Sequence, residues 1–351
     1  MPRGTLQTLT NISSVILCIS IIVILVLFAT DETLNCSAKS NLDAERQNFI
    51  GETKLENTHT PSYKLKLMCL VTDRSKSLRR LLESLNKADF DQDKVTLAVW
   101  IDRDKNGTYD AATLATAKNF MFKHGNYFVN IHENHVGLQG QYLNTYNVDE
   151  AKDSEMVVFL EDDMTVSPFF YKYLKLVHSK YDSRPDINGY SLLGVRTKVL
   201  KRVIGMVEPP ADQPVFKLQG LGTWGFSPNI PKWKEFLRWF EQQNKNPSFR
   251  PYPLDYHSTT WFQEIIQRNS ADEMWSIWHT YYSLANKEYT IISNVPNYQG
   301  LATHWHDDVS QSHTLGTLRR NLNSQHREWD LNYNMLPNEP VVIELPREVD
   351  K

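Results

Sequence analysis

From Lys64 onward the apolar and polar positions alternate between two rhythms. Leu65–Thr72 is an almost unbroken apolar run, the pattern of a strand buried on both faces. Ser77–Leu85 then sets Leu78, Leu81, Leu82 and Leu85 at helical spacing. Val95–Ile101 predicts the next strand and Ala111–Phe122 the next helix. Tyr127–Ile131 and Gly140–Ala151 repeat the pair, and Glu155–Leu160 predicts a fourth strand. Strand and helix in alternation predict an α/β domain whose sheet is mostly parallel and flanked by helices. Beyond residue 163 the rhythm loosens. Phe169–Tyr181 reads as a helix, and Asn188–Leu193 and Val215–Leu218 as strands. Pro231–Gln242 is a helix with Trp233, Phe236, Leu237 and Phe240 on one face. Asp272–Ala285 is another helix, and Thr290–Val295 a last strand. No internal repeat and no linker follows residue 62, so residues 63–351 are read as one domain.

The N-terminus breaks both rhythms. Residues 12–29 carry no charge, Arg3 precedes them, and Asp31 and Glu32 follow. A run of about 17–20 apolar residues can cross a bilayer. The reading is a transmembrane signal-anchor over 12–29, with a cytosolic tail at 1–11 and a luminal stem at 30–62. Its shortness suits the thinner membranes of the early secretory pathway, hence a single-pass type II protein of the Golgi or endoplasmic reticulum. The competing reading is a cleaved signal peptide, against which the run is long for an h-region. Both readings put the rest of the chain in an oxidising lumen. There Asn35-Cys-Ser and Asn106-Gly-Thr are glycosylation sequons. Three cysteines, Cys18, Cys36 and Cys69, make no disulfide framework. Cys36 is placed to pair between chains, which implies a homodimer. A net charge of -3 offers no basic excess to follow a phosphate backbone, so nucleic acid is not an expected partner.

The chemistry gathers just after predicted strands, where parallel sheets bind ligands. Asp73-Arg74 follows the first strand, Asp102 the second, and Glu161-Asp162-Asp163 the fourth. Three consecutive carboxylates repel one another, and a hard divalent cation, Mn²⁺ or Mg²⁺, is what such oxygens suit. A cation with few protein ligands keeps positions for nucleotide phosphates and offsets the charge of a diphosphate leaving group. The bland alternative is a strand ending in a solvated acidic turn. Asp102-Arg-Asp-Lys-Asn-Gly107 imitates the first half of an EF-hand loop. Thr113 stands where that loop needs Glu, and a strand rather than a helix precedes it, so calcium is set aside. Gly220-Leu-Gly-Thr-Trp-Gly225 would let backbone approach a ligand closely and offer the Trp224 ring to a sugar face. Asp272 and Glu273 open a predicted helix. They are candidates for the base that deprotonates an acceptor hydroxyl, although acids also favour helix starts for electrostatic reasons.

In order, the motifs are Val71-Thr-Asp-Arg-Ser75, Trp100-Ile-Asp-Arg-Asp104, His135-Val-Gly-Leu-Gln-Gly-Gln-Tyr142, the acidic triplet, Gly220–Gly225 and Asp272-Glu-Met-Trp275. This order resembles the inverting GT-A glycosyltransferases that carry a Glu-Asp-Asp form of the DxD motif. Among them it is most like the type I N-acetylglucosaminyltransferase group and its protein O-mannose-linked relative, over roughly residues 65–310. The resemblance implies a single GT-A domain that transfers a sugar from a UDP-sugar to a glycan or glycoconjugate acceptor. It implies Arg74 and Asp102 at the uracil, His135 near the nucleotide, Glu161 at the donor sugar, Asp162 at ribose or sugar, and Asp163 on the metal. A late histidine often completes such sites, a role that falls to His304 of His304-Trp-His306. N-acetylglucosamine is the donor sugar the nearest relatives suggest, with galactose as runner-up, and segments 196–215 and 242–270 are read as acceptor-side loops. The alternative function is a non-catalytic luminal protein that keeps the fold and binds glycans or a partner.

Overall fold

The computed structural model describes residues 62–343, apart from 153, 193–196, 201–202, 207–208, 220–222, 255, 269, 271–272, 296–298, 306–328 and 330–334. The apolar run 12–29, the stem before residue 62, Cys36, the candidate base Asp272, and His306 lie outside the described residues. Among the described residues no helix is long and apolar enough to cross a membrane.

The first half is built from strands β1 (Lys64–Val71), β2 (Val95–Ile101), β3 (Gly125–Ile131) and β4 (Glu155–Glu161). Helices α1 (Ser75–Leu85), α2 (Ala111–Lys118) and α3 (Gly137–Asn144) connect them. β3, β2, β1 and β4 lie side by side in that order, all parallel. The reason is visible along β1. Leu65, Leu67, Cys69 and Val71 enter one core, while Met68 and Leu70 enter the other. A strand apolar on both faces must be covered on both. α1 covers the first face with Leu78, Leu81, Leu82 and Leu85, all fully buried.

After β4 come β5 (Met164–Val166), α4 (Phe170–Tyr181), β6 (Ile187–Ser191), β7 (Thr197–Leu200), β8 (Val203–Met206), β9 (Val215–Leu218) and β10 (Phe226–Pro228). Helices α5 (Ile230–Asn244), α6 (His257–Gln267) and α7 (Ser276–Asn286) follow, then β11 (Tyr289–Ser293), β12 (Ala302–His304) and β13 (Val341–Ile343). The nine-stranded sheet runs β13-β9-β11-β6-β10-β4-β1-β2-β3. It is mixed: β10 lies antiparallel between β4 and β6, and β9 lies antiparallel to β11. β5 and β12 form a separate antiparallel pair, as do β7 and β8. The second face of the sheet is covered by α3, α5, α6 and α7 through Tyr142, Trp233, Phe236, Phe262, Trp275 and Trp278. The architecture is therefore a large central sheet with helices on both faces.

Several expectations are corrected in detail. The segments 196–215 and 242–270, read as loops, contain the β7–β8 hairpin and α6. The helix expected over Gly140–Ala151 runs Gly137–Asn144, followed by a separate turn of 3₁₀ helix at Val148–Glu150. The helix expected from Asp272 begins at Ser276. In the Asp102–Gly107 loop, Asp104 Oδ1 accepts from the backbone N–H groups of Asn106 and Thr108, closing a local turn.

His279 of α7 is buried against Phe226, Phe236 and Trp233, with ring centroids 5.5, 4.8 and 5.8 Å away. Burial pushes its pKa down to about 3. The unfolded chain takes a proton on this ring below its ordinary value near 6.5, while the folded chain does so only near 3. The stability this neutral ring supplies is complete above pH 6.5 and is lost as the pH falls toward 3. Replacing His279 by Gln removes that dependence. The unfolding free energy of the variant then falls less steeply between pH 6 and pH 4 in denaturant titrations, by up to about 1.4 kcal/mol per pH unit.

Candidate active site

The carboxyl ends of β1, β2 and β4 are in register, with Leu70 opposite Glu161 and Val71 opposite Ile101. The ladder continues one residue further on each side. Asp162 N–H donates to the Leu70 carbonyl (3.1 Å), and Asp102 N–H to that of Val71 (2.8 Å). Local sequence thus delivers Arg74, Asp102 and the acidic triplet to one edge of the sheet.

Glu161, Asp162 and Asp163 turn the chain from β4 into β5, and β12 pairs with β5 so that His304 lies opposite Met164. Two further bonds fix this late segment: Trp305 N–H donates to the Asp163 carbonyl (2.7 Å), and Trp305 Nε1 to Thr165 Oγ1 (2.9 Å). His304 Nε2 consequently sits 3.2 Å from Asp163 Oδ2. The Trp224 ring stacks flat on His304, with centroids 4.1 Å apart and planes 5° apart. Gly225 makes that placement possible. Its φ of +70 is a conformation that L side chains rarely adopt, and a Cβ there would meet Leu192 at 2.8 Å.

Arg74, from the turn after β1, bridges two carboxylates. Nη1 donates to Asp163 Oδ2 (2.8 Å) and Nη2 to Asp162 Oδ1 (2.5 Å). Asp162 and Asp163 are buried, 2% and 4% exposed. Burial, with the charge of Asp163 added, pushes the Asp162 carboxyl up to about 7 in spite of Arg74. Glu161 is pushed up to about 8 by burial and by the charges of Asp163 and Asp162. Burial also pushes Asp163 upward, but His304 and Arg74 outweigh it and hold this carboxyl below its usual range. Near neutral pH the site therefore keeps one firmly ionised carboxylate, at Asp163.

Tyr142 is a residue to which sequence reasoning gave no role. Its hydroxyl lies 2.9 Å from Glu161 Oε1 and 3.2 Å from the Thr223 carbonyl, and its ring stacks on Trp275 at 4.2 Å. The available signal was its place at the end of the Gly-rich motif, on a helix whose other inward residues include Leu143 and Gln141. Glu273 is exposed, two residues before Trp275, and its N–H donates to the Ser270 carbonyl. With the α-helix starting at Ser276, Glu273 is not in its first turn but in a 3₁₀ turn ahead of it.

Asp102 and His135 lie on the β2 side of the same edge. Asp102 is 1% exposed, and both of its oxygens accept from protein donors. Arg103 N–H (2.8 Å) and Val136 N–H (3.0 Å) donate to Oδ1, and Gly137 N–H (2.9 Å) to Oδ2. His135 Nδ1 is 3.1 Å from Oδ2 and 2.6 Å from the Arg103 carbonyl. Gly137 has a φ of +64, which turns the chain into α3 over this carboxylate.

Among the described residues no group of three or more His, Cys, Asp and Glu side chains has the geometry of a complete metal site. The oxygens beside Arg74 nonetheless suit a hard cation. Asp163 Oδ1 and Asp162 Oδ2 are buried and have no hydrogen-bond partner among the described residues. A buried carboxylate oxygen without a donor is costly, and a cation relieves that cost as a donor would. So sparse a protein shell would leave most coordination positions of such a cation open.

No family model matches the chain, and no curated protein matches it. Among solved structures it is similar over part of its length to S. aureus TarS 1-349, at 15% identity and a TM-score of 0.34, covering 51% of this chain and 49% of that one. The same protein in complex with UDP-GlcNAc matches at 18% identity and a TM-score of 0.28, over 42% of this chain and 37% of that one. The mannosyltransferase PcManGT from Pyrobaculum calidifontis, in complex with GDP-Man and Mn²⁺, matches at 13% identity and 0.34, over 51% and 48%. The chain spans about half or less of the length of these structures. At these scores the likenesses carry no weight for function, which rests on the geometry above.

Proposed function

We propose that the chain is a glycosyltransferase of the GT-A kind that transfers a sugar from a UDP-sugar to a glycan or glycoconjugate acceptor. One observation carries the reading. Asp162 and Asp163 of the acidic triplet at the end of β4 are buried at the carboxyl edge of the sheet, with Glu161 partly buried beside them, and are joined there by Arg74 from the turn after β1 and His304 from β12. An acidic turn kept only for solubility would face water instead. Asp163, with Asp162 beside it, would hold Mn²⁺ or Mg²⁺, and His304 lies within reach of the same place. When bound, the cation would offset the negative charge that develops on the departing diphosphate.

The chain's own residues supply the rest. Arg74 already neutralises the two aspartates and can turn toward a phosphate or a base carbonyl, since a guanidinium has five donors in a fork. Asp102 and His135 hold the loop entering α3, which would frame the nucleotide. Trp224, backed by His304, offers an aromatic face to the donor sugar. Glu161, holding a proton near neutral pH, carries a hydrogen-bond donor toward that sugar as well as its bond with Tyr142. Glu273, two residues before the Trp275–Tyr142 stack, is the candidate base, together with Asp272. An inverting course follows if either acid deprotonates the acceptor as it attacks. The N-terminal apolar run would place this chemistry in the Golgi or endoplasmic reticulum lumen as a type II membrane protein.

The test is release of UDP from a panel of UDP-sugars by the full chain, with and without Mn²⁺. Cation-dependent release from at least one donor is the expected result. Absence of both release and cation-dependent nucleotide binding overturns the reading in favour of a non-catalytic binding protein.

A further inference from the structure

β3 closes one end of the nine-stranded sheet, and β2 is its one neighbour there. His132 N–H donates to the Ile101 carbonyl at the end of that parallel ladder (3.0 Å). In such a ladder alternate residues face the neighbour, so the even-numbered residues of β3 turn their backbone groups toward β2. The odd-numbered ones, Gly125, Tyr127, Val129 and Ile131, turn theirs outward. Among the described residues these outward N–H and C=O groups have no backbone partner.

An open edge is a template for another strand, and proteins ordinarily guard it with charges, proline, a bulge or sheer shortness. The two ends of this sheet differ in that respect. β13, at the far end, is three residues long, with Pro340 directly before it and Glu344 directly after. β3 is seven residues, Gly-Asn-Tyr-Phe-Val-Asn-Ile, with no charge and no proline, and its register with β2 runs unbroken. Tyr127, Val129 and Ile131 pack against the core, while Phe128 stands on the other face and is 53% exposed.

Charge selects the occupant. A second copy of the chain, related by a two-fold axis, meets this edge antiparallel, and outward residues must face outward residues. Centring the axis on Phe128 satisfies both conditions. Tyr127 then faces the partner's Val129, Gly125 faces the partner's Ile131, and Phe128 meets the partner's Phe128. The same register brings Lys123, exposed just before β3, beside the partner's Glu133, exposed just after it, and the symmetry repeats that pair at the other end. Centring on Tyr127 instead would set Lys123 against the partner's Ile131 and leave both charges unmatched. We propose that β3 is the interface of a homodimer in which two copies pair edge to edge about Phe128 and continue one sheet through both. This does not depend on the transfer reading, and it uses a surface other than Cys36.

The test uses the full chain in detergent with Cys18→Ser and Cys36→Ser, so that neither cysteine can cross-link; Cys69 is buried and is kept. In the proposed ladder the two position-128 Cβ atoms lie about 4.5–5.5 Å apart, which a small adjustment brings into disulfide range. Phe128→Cys is therefore expected to give a disulfide-linked dimer under copper–phenanthroline oxidation. Asn126→Cys is expected to give none, because that position lies roughly 14 Å from its own copy in the partner. Adding Asn130→Cys to Asn126→Cys should restore the cross-link, since these two positions face each other. Sedimentation equilibrium without oxidant should show a dimer whose dissociation constant rises about 5–10-fold in Lys123→Glu, where acid now meets acid, and returns when Glu133→Lys is added. Both positions are exposed, so the circular dichroism spectrum should not change. A monomer at every concentration overturns the proposal. So does a dimer that ignores Lys123→Glu, or one that cross-links through Asn126→Cys as readily as through Phe128→Cys.

Discussion

Replacing Asp163 by Asn is expected to lower cation-dependent UDP release by at least about 10²-fold, a loss of roughly 2.7 kcal/mol in the barrier. Asn keeps the size of the side chain and one acceptor oxygen, so the turn from β4 into β5 should form. The backbone bond from Trp305 N–H to the residue-163 carbonyl does not depend on the side chain. What disappears is the negative charge. Asp163 is the carboxylate that His304 and Arg74 keep ionised, while Asp162 and Glu161 titrate at about 7 and about 8. Removing that charge also relieves its upward push on Asp162 and Glu161, so any cation dependence left in the variant is carried by Asp162 beside Arg74. The steady-state rate and the circular dichroism spectrum, measured on the same preparation, separate loss of chemistry from loss of fold. A variant that keeps wild-type turnover would show that the cation, if needed, is held elsewhere.

Replacing Arg74 by Met is expected to destabilise the cation-free protein by about 2 kcal/mol. Removing one partner of a buried ion pair ordinarily costs about 3–5 kcal/mol, because the other charge is left uncompensated. The figure is reduced here because the Arg74 side chain is 32% exposed and solvent screens it. The pH dependence gives the mechanism away. The carboxylates repel only when ionised, so the loss should be smaller at pH 5.5, where Asp162 holds a proton, than at pH 8. Mn²⁺ should restore part of the lost stability by supplying positive charge to the same oxygens. Denaturant midpoints at the two pH values, with and without Mn²⁺, test this. Equal losses at both pH values would mean that Arg74 acts through packing alone.

The parts of the fold that could be read from sequence are those where local pattern and burial agree. β1, β2 and β4 are apolar on both faces, and the leucines of α1 repeat at helical spacing, so their positions needed no partner to be inferred. The acidic triplet and Arg74 were found because they follow such strands directly. The elements that escaped depend on distant partners. β10 and β12 are three residues each, too short to show a period, and exist because β4, β6 and β5 offer edges to pair with. α3 starts early because the Asp102 carboxylate, from another strand, takes the N–H groups of Val136 and Gly137. α6 carries Ser258, Thr259 and Thr260 in its first turn, which masks it as a loop. α7 starts late because Trp275 is packed against Tyr142 instead of opening a free helix end.

Candidate residues follow the same division. His304 could be named from sequence, but its contact with Asp163 depends on a β5–β12 pairing across more than a hundred residues. The flat stack of Trp224 on His304 was likewise invisible, since the sequence suggested a sugar face for Trp224 without saying what backs it. Tyr142 was hidden because an aromatic residue on a short helix reads as core, and its ring is core; only its hydroxyl reaches Glu161.

Calorimetric titration of UDP into the full chain, with and without Mn²⁺, for wild type and Asp163→Ala, addresses the central claim most directly. The account predicts that UDP binds the wild type in the presence of Mn²⁺, binds much more weakly without it, and loses the Mn²⁺-dependent component in the variant. UDP binding of equal strength in the wild type and in Asp163→Ala, or none in either protein, would contradict it.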